Sequence, residues 1–310
     1  MKILVYTKLD ANAQKQLTDG LDKIEKIDFA VNLTETATLK ILSEADVVIG
    51  NTPVNHWSNA HENVKFWQLD SAGFDQYQEL NLTFPIANMG DYYARNCAET
   101  IVTGLFSFYR GIHTLINLQG KQKWLGSKIR KELQSIAGKN IIILGAGAIA
   151  LFAKEMLLGF GCKVKLTARK NPKADIFNRE DLLKELAHTD AVINTLPGSA
   201  DKFANKDFIE AMKHGSVYAN VGRGNTTDEN ALINAIETGK LAGAILDVTE
   251  VEPLPIESKL WKMEQVILTQ HSGGGDENEI SGKVNHFIKN ANKYLAGEKI
   301  DDIIDLKRGY

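Results

Sequence analysis

The feature that most constrains the fold is a glycine-containing turn, residues 145–150, which lies between an apolar run and a helical pattern. The turn reads Gly-Ala-Gly-Ala-Ile-Ala and follows the apolar residues 140–144. Glycine at Gly145 permits a tight turn, and glycine at Gly147 leaves room for a ligand to approach the backbone. A small residue at Ala150 lets the following helix pack closely on the strand. The arrangement is typical of the first βαβ unit of a parallel sheet.

Short apolar runs alternate with amphipathic stretches along the chain, and this alternation predicts an α/β fold with parallel sheets. A first series of strands is expected at residues 2–7, 27–31, 46–51, 66–70 and 84–89. A second series is expected at residues 140–144, 163–168, 191–195, 217–221, 244–248 and 266–269. We interpret them as two doubly wound parallel-sheet domains, a Rossmann dinucleotide-binding domain that contains the glycine turn and a smaller flavodoxin-like substrate domain.

The boundary between the two predicted domains falls near Asn96, where a long amphipathic helix is expected to begin. Asn96 and Glu99 resemble a capping box at the start of that helix. Residues 119–134 are polar and basic, which is typical of a connector. A last helical pattern, residues 277–295, is too short for a domain and is expected to pack on the first series. The predicted division is therefore 1–95 with 276–310 for the substrate domain, and 96–275 for the Rossmann domain.

Length and charge limit the classes of protein to which the chain can belong. With 310 residues and a net charge of −3, it is long enough for two domains and lacks the basic excess of a nucleic-acid-binding protein. No apolar run is long enough to cross a membrane, and the first strand turns polar too soon for a signal peptide. Cys97 and Cys162 match no metal spacing, so we expect reduced thiols, no metal site and a cytoplasmic location.

The glycine turn predicts a dinucleotide-binding site. The backbone N–H groups of Ala148 and Ile149, at the start of the following helix, are expected to hold a pyrophosphate. At the end of the next strand, where an NAD-binding protein usually has an acidic residue, the sequence reads Ala168-Arg169-Lys170. A guanidinium there favours a 2′-phosphate, so NADP(H) is the expected cofactor, with NAD(H) as the alternative. The competing interpretation of Arg169 and Lys170 is a pair of exposed surface cations.

Three polar signals follow, each at or near the end of a predicted strand, which is the ligand-binding edge of such a sheet. Arg223 lies on a glycine-flanked loop that suits a bidentate grip on a carboxylate. Asp247 and Glu252 belong to an acidic segment, and His271 follows the last strand. A histidine gives a proton to a ketone oxygen most readily when a neighbouring carboxylate stabilises its protonated form. Together these residues predict a site that reduces a carbonyl group.

In this order the motifs resemble those of the D-isomer-specific 2-hydroxyacid dehydrogenases. The resemblance covers nearly the whole chain, from the loop Ser71-Ala-Gly-Phe-Asp75 to the closing tail, residues 304–310. It implies that Arg223 binds and polarises a keto acid, that His271 is the acid/base, and that Glu252 is the partner of His271.

The resemblance also implies roles for residues around this site. Asp247 matches the position that approaches the nicotinamide carboxamide, Glu250 is a bystander, and Tyr92 either lines the substrate pocket or belongs to the core. Backbone N–H groups of Ala72 and Gly73 are expected to hold the substrate carboxylate. The residues expected to contact the cofactor are Gly145, Gly147, Ala148, Ile149, Arg169, Lys170, Leu196, Pro197, Val221, Gly222 and Asp247.

Three departures from the family pattern are present. Gln270 stands where a proline commonly precedes the histidine, and Ser272-Gly-Gly-Gly275 replaces the more usual Ile-Ala-Gly. Both can alter how His271 is aimed, although neither removes a reacting group. Ala150 replaces the more frequent third glycine of the dinucleotide turn and is expected to be harmless.

The expected function is NADPH-dependent reduction of a small 2-keto acid to the D-2-hydroxy acid, in a homodimer that the family implies. Glyoxylate, hydroxypyruvate, pyruvate and branched keto acids stay open, with a glyoxylate/hydroxypyruvate reductase as one specific alternative. Phosphoglycerate is disfavoured because residues 51–55 lack a cation and no length remains for a regulatory domain; formate is disfavoured because its oxidation needs no acid/base pair. The alternative from another class is a corepressor-like protein that binds the dinucleotide as a conformational ligand.

Overall fold

The computed structural model describes residues 1–21, 24–58 and 61–308, and within them the chain forms eleven strands and nine α-helices. The strands are β1 Lys2–Val5, β2 Lys26–Phe29, β3 Val47–Ile49, β4 Phe66–Gln68, β5 Ile86–Ala87, β6 Asn140–Leu144, β7 Lys163–Thr167, β8 Ala191–Asn194, β9 Ser216–Asn220, β10 Leu241–Leu246 and β11 Val266–Leu268. The helices are α1 Ala11–Gly20, α2 Glu35–Leu42, α3 Ala94–Tyr109, α4 Ile112–Gly120, α5 Ala148–Gly159, α6 Arg179–Leu186, α7 Lys206–Ala211, α8 Glu229–Glu237 and α9 Glu279–Leu295.

The chain divides into two compact units, each with its own sheet. One unit comprises Met1–Tyr93 and Asp276–Tyr310, and the other comprises Ala94–Gly275. The end of the closing tail, Gly309 and Tyr310, lies outside the described residues.

The first unit contains a parallel sheet that has, in the described part of the chain, five strands in the order β2-β1-β3-β4-β5. Alternate side chains of a strand face opposite sides of the sheet. Ile3 and Val5 of β1 therefore pack in the same cluster as Phe287 of α9, whereas Leu4 packs with Leu42 of α2. Helices cover both faces, and the strand order is that of a flavodoxin-like sheet.

The second unit contains a parallel sheet with six strands among the described residues, in the order β11-β10-β9-β8-β6-β7. One face packs with α3 and α5, and the other packs with α6, α7 and α8. The strand order reverses between β6 and β8. In open α/β sheets the crevice outside the carboxyl ends of the strands at such a switch point is the usual ligand site.

Side-chain caps fix the starts of five helices. Each cap side chain accepts a hydrogen bond from the backbone N–H three residues further on, which satisfies one of the donors that a helix start leaves unpaired. The cap residues are Asp10 for α1, Thr34 for α2, Asn178 for α6, Asn205 for α7 and Asp228 for α8. Helix α5 differs, because its cap is Gly147, which has no side chain to make that bond.

The structure confirms the predicted fold class, and a strand is present in each of the eleven predicted positions, with ends that differ by a few residues. The predicted capping box is wrong. Helix α3 already begins at Ala94, so Asn96 lies inside its first turn, and Glu99 pairs with Arg95 at 3.1 Å. The second compact unit begins at Ala94, and the domain boundary predicted at residue 96 stays a prediction. Within the described residues, no helix combines the length and the apolar character needed to span a membrane.

Candidate active site

The glycine turn joins β6 to α5 at the switch point of the second sheet. Gly145 has a φ of 111°, and a Cβ atom there would lie 2.6 Å from Thr195 Oγ1, so only glycine fits without strain. A Cβ at Gly147, in contrast, would meet no atom within 4 Å. The start of α5 therefore presents backbone N–H groups, beginning with Ala148, above open space. This geometry fits a pyrophosphate bound at the helix N-terminus.

The end of β7 is held beside the glycine turn. Gly145 donates its backbone N–H to Thr167, and the Asn171 side chain donates to the carbonyl oxygen of Ala146 at 3.0 Å. Arg169 and Lys170, which lie between these two anchors, are exposed. Two cations thus stand at the strand end where the sequence predicted selection of the 2′-substituent of a dinucleotide ribose.

The loops after β8 and β9 are in contact with each other. A Cβ at Gly222 would lie 2.7 Å from Leu196 N and 2.8 Å from the carbonyl carbon of Thr195, so the two backbones touch and a side chain has no room. The predicted cofactor residues Leu196, Pro197, Val221 and Gly222 consequently belong to two adjoining loops on the same edge of the sheet.

Arg223 follows Gly222 on the loop after β9 and is half-buried. Its Nη1 donates to the Gly222 carbonyl at 2.8 Å. The loop also adjoins the acidic segment after β10, because a Cβ at Gly224 would overlap the carbonyl oxygen of Thr249. Arg223 is thereby brought next to the segment that carries Glu252.

His271 and Glu252 form the hydrogen-bonded pair that the sequence predicted. His271 Nδ1 is 2.6 Å from Glu252 Oε2, and the side chains are 53% and 36% exposed. The other carboxylate oxygen, Oε1, accepts the backbone N–H of Thr249 at 3.0 Å, which fixes the orientation of the glutamate. Glu250 points elsewhere and forms an ion pair with Lys202. The catalytic roles assigned to Glu252 and Glu250 stay predictions.

Asp247 holds the loop that carries His271. Its carboxylate is 4% exposed, and Oδ1 accepts hydrogen bonds from Thr269 Oγ1 at 2.6 Å, Gly273 N at 3.0 Å and Ser272 N at 3.1 Å. Gln270 and His271 both have left-handed backbone conformations, with φ values of 55° and 54°. A proline cannot adopt a φ of 55°, so the replacement of proline by Gln270 is a requirement of this loop.

An open cavity of about 400 Å³ lies beside the pair. Its wall includes Glu252 and His271 together with the apolar side chains of Leu254, Trp261 and Leu268. The pair can therefore be reached by a small molecule. Among residues 1–21, 24–58 and 61–308, no cluster of three or more His, Cys, Asp or Glu side chains is placed to hold a metal ion.

Cys97 lies on α3 and is affected by the charges of both Asp247 and Arg223. Burial raises the pKa of its thiol to about 11, and the Asp247 carboxylate raises it further than the Arg223 guanidinium lowers it. Burial also raises the pKa of Cys162. Both cysteines are free and remain protonated at neutral pH, so neither is poised to act as a nucleophile.

In the first unit, the loop at Ala72 and Gly73, which was predicted to bind the substrate carboxylate, is held by hydrogen bonds to its carbonyl groups. The carbonyl oxygen of Ala72 accepts from Asn88 Nδ2 at 2.6 Å, and that of Gly73 accepts from Ser71 Oγ at 2.6 Å. Tyr92 donates its hydroxyl to the carbonyl of Glu279 at 3.3 Å and packs closely on Gly282 of α9. These are the contacts of a packing residue, and a role for Tyr92 in a substrate pocket stays a prediction.

The sequence interpretation overlooked the residues that hold the site in place. Thr269 orients the His271 loop through Asp247, and Asn220 and Thr226 hold the carbonyl oxygen of Arg223 at 3.1 and 2.6 Å. For Asn220 and Thr269, the available signal was a polar residue at or just after the end of an otherwise apolar strand, where an unpaired polar group would be costly.

Comparison with known proteins identifies the family. Residues 102–273, more than half of the chain, match the model of the D-isomer specific 2-hydroxyacid dehydrogenase NAD binding domain. An uncharacterized protein of Corynebacterium melassecola, from the region 3′ of proB, is 30% identical over 87% of this chain and 91% of its own.

Two further proteins have named activities. Glyoxylate/hydroxypyruvate reductase A of Salmonella typhi is 30% identical over 174 residues, which are 54% of this chain and 55% of that protein, so the match spans about half of each. The crystal structure of an NADPH-dependent glyoxylate/hydroxypyruvate reductase from Sinorhizobium meliloti, in complex with NADP and sulfate, has a TM-score of 0.84 at 20% identity. The structural match covers 100% of this chain and 99% of the Sinorhizobium meliloti chain.

Proposed function

The chain belongs to the D-isomer-specific 2-hydroxyacid dehydrogenase family and carries its NAD binding domain, and we propose that it reduces a small 2-keto acid to the D-2-hydroxy acid, with NADPH as the preferred cofactor. The observation that carries the proposal is the hydrogen bond of 2.6 Å between His271 and Glu252, which lies on the segment that adjoins the Arg223 loop. An acid/base pair beside a guanidinium is the equipment that carbonyl reduction requires.

The chemistry divides among these residues. When bound at the glycine turn, a reduced dinucleotide would supply the hydride that the carbonyl carbon of the keto acid accepts. Arg223 binds the substrate carboxylate and stabilises the negative charge that develops on the carbonyl oxygen. Because the carboxylate of Glu252 can only accept, His271 donates Nδ1–H to it and uses Nε2 to give a proton to the substrate oxygen. The products are the hydroxy acid, the oxidised dinucleotide and a neutral imidazole, which takes a proton from water.

The proposed preference for NADPH rests on Arg169 and Lys170. Both are exposed beside the glycine turn, at a strand end that has Ala168 in place of an acidic residue. A 2′-phosphate there gains charge-assisted hydrogen bonds, and no neighbouring carboxylate in the segment 168–170 repels it. The Sinorhizobium meliloti protein of the same fold, which is NADPH-dependent, supports this choice.

We propose glyoxylate or hydroxypyruvate as the first substrates to test. The support is the partial match to the Salmonella typhi reductase and the shared fold with the Sinorhizobium meliloti reductase. A role for the N–H groups of Ala72 and Gly73 in binding the substrate carboxylate stays a prediction, as does a cytoplasmic location.

We also propose that the protein forms a homodimer through α4. Ile112, Leu115 and Ile116 are 45%, 39% and 60% exposed and lie at helical spacing on one side of α4. An apolar stripe of this kind is typical of a surface that another protein covers.

Sedimentation should show a dimer for the wild-type chain and a monomer for Ile116→Lys. Asn117→Lys, on the opposite side of the helix, should stay dimeric; three identical sedimentation profiles would contradict the proposed interface.

The experiment that tests the function is NADPH oxidation with purified protein across a panel of glyoxylate, hydroxypyruvate, pyruvate and branched 2-keto acids. We expect turnover of at least one of them and a product of the D configuration by chiral chromatography. Failure to oxidise NADPH with any member of the panel, or formation of the L product, would refute the proposal.

A further inference from the structure

Five buried polar side chains form a network beneath the Arg223 loop. They are Asn194, Tyr218, Asn220, Thr226 and Thr227, and none is more than 4% exposed. Burial of a polar group is unfavourable unless that group is hydrogen-bonded, so the network holds only if its donors and acceptors match.

The Tyr218 hydroxyl links two other side chains of the network. Burial raises the pKa of Tyr218 to about 12, so the hydroxyl keeps its proton at neutral pH. Asn194 Nδ2, which can only donate, lies 2.8 Å from that hydroxyl. The Tyr218 hydroxyl also shares a hydrogen bond with Thr227 Oγ1, 2.7 Å away, in which either oxygen can be the donor. Tyr218 thus connects Asn194 to Thr227.

One end of the network holds the backbone of Arg223. Thr226 Oγ1 accepts from Asn194 Nδ2 at 2.8 Å, so it uses its own proton to donate to the Arg223 carbonyl oxygen at 2.6 Å. Asn220 Nδ2 divides its two protons between the same carbonyl oxygen, at 3.1 Å, and Thr227 Oγ1, at 3.0 Å. Two side chains of the network therefore fix the position of the arginine.

The other end reaches the loop after β8. Asn194 Oδ1 accepts the backbone N–H of Leu196 at 2.9 Å. This bond also fixes which way the Asn194 amide faces, because a backbone N–H requires an acceptor. Asn194 is therefore shared between the proposed cofactor loop at Leu196 and the chain of bonds that ends at Arg223.

We infer that Tyr218 is a positioning residue for Arg223, and that the network couples the position of Arg223 to the position of Leu196. The inference rests on the proposed function, since it assigns Arg223 to the substrate. Both protons of Asn194 Nδ2 are committed, to Tyr218 and Thr226. Loss of the Tyr218 hydroxyl leaves one of the two Asn194 amide protons without an acceptor. A rotation of the Asn194 amide that gives this proton a new acceptor breaks the hydrogen bonds of Asn194 to Thr226 and Leu196.

The test compares Tyr218→Phe with Tyr109→Phe. Tyr109 is a second buried tyrosine of the same unit, and its hydroxyl donates to the carbonyl of Asp190 at 3.0 Å, just before the amino end of β8 and away from the Arg223 loop. Both variants lose one buried hydroxyl and should lose similar stability. With saturating NADPH, Tyr218→Phe should lower kcat/KM for the keto acid about tenfold, through a higher KM and a lower kcat, because Arg223 is assigned both to the substrate carboxylate and to the charge that develops on the carbonyl oxygen. Tyr109→Phe should change kcat/KM less than twofold.

Hydrogen exchange provides a readout that does not depend on turnover. Amide exchange at Leu196 and at residues 222–227 should accelerate at least tenfold in Tyr218→Phe relative to Tyr109→Phe. If Tyr218→Phe does not fold, Thr227→Val with Thr227→Ser as its control tests the same network. Equal kcat/KM values in the two tyrosine variants, or unchanged exchange at both ends, would overturn the inference. A wild-type protein without 2-keto acid reductase activity would refute the proposed function, whereas the exchange data would still decide whether the network holds the two loops together.

Discussion

The loop that carries His271 should be held less firmly in its active conformation when a single hydroxyl is removed. Two consecutive residues, Gln270 and His271, have positive φ values, and each costs roughly 1–2 kcal/mol relative to a right-handed conformation. The three hydrogen bonds to Asp247 Oδ1 offset this cost. Each bond to a charged, buried acceptor contributes about 1.5–3 kcal/mol, so the three together contribute about 4.5–9 kcal/mol against a backbone cost of roughly 2–4 kcal/mol, and the loss of one bond reduces this margin.

Thr269→Val replaces the donor hydroxyl with a methyl group of nearly the same size. The loss of about 1.5–3 kcal/mol corresponds to a roughly ten- to hundredfold decrease in the equilibrium constant for the loop conformation that aims His271. We expect kcat/KM for the keto acid to fall by up to that factor.

Thr269→Ser is the matched control, because it retains the hydroxyl and should stay within about threefold of the wild type. Initial rates of NADPH oxidation give kcat/KM, and urea unfolding checks that both variants are folded. If Thr269→Val and Thr269→Ser have the same kcat/KM, Asp247 does not hold the catalytic loop in the way inferred from its contacts.

Three other comparisons test separate parts of the site. Glu252→Gln should lower kcat at least about a hundredfold, since it removes the carboxylate that accepts a hydrogen bond from His271 Nδ1 and holds the ring for proton transfer, whereas Glu250→Gln should change kcat little; equal losses would exclude the assigned roles. Arg169→Ala should raise KM for NADPH about tenfold or more and leave KM for NADH unchanged, and a loss confined to NADH would contradict the assignment. Gly147→Ala should unfold like the wild type but bind NADPH more weakly in a fluorescence titration, because its Cβ occupies only ligand space. Gly222→Ala should lower the melting temperature, because its Cβ meets the backbone of Leu196, and the reverse pattern would contradict this geometry.

The sheets could be predicted from the sequence because each strand is a short run of buried apolar residues. The run Ile141-Ile142-Ile143 has side chains for both faces of the sheet, and helices cover both faces. The start of α3 could not be predicted in the same way. The capping pattern at Asn96 and Glu99 is a local preference, and Asn96 instead donates, at 3.4 Å, to the carbonyl of Gly274, which is distant in sequence.

The reacting residues were predictable because their types and order carry a chemical requirement. The residues that position them were not, since their roles depend on contacts between distant segments. Thr269 acts through Asp247, and Tyr218 acts through Thr227 and Asn194, with no periodic pattern to mark either. The left-handed conformation of His271 could not be predicted from the sequence either, because a positive φ is usually expected at glycine and this position has none.

The buried network around Tyr218 has an evolutionary consequence. Any single substitution in the network leaves a buried polar group without its hydrogen-bond partner, which lowers the free energy of unfolding by about 1–3 kcal/mol. Replacement of all partners together with apolar groups of the same shape can be nearly neutral. A lineage that acquired this arrangement can therefore abandon it only through several mutations, the first of which are harmful. Descendants of such a sequence should keep or lose the set as a block, so Asn194, Tyr218, Thr226 and Thr227 should covary when homologous sequences are aligned.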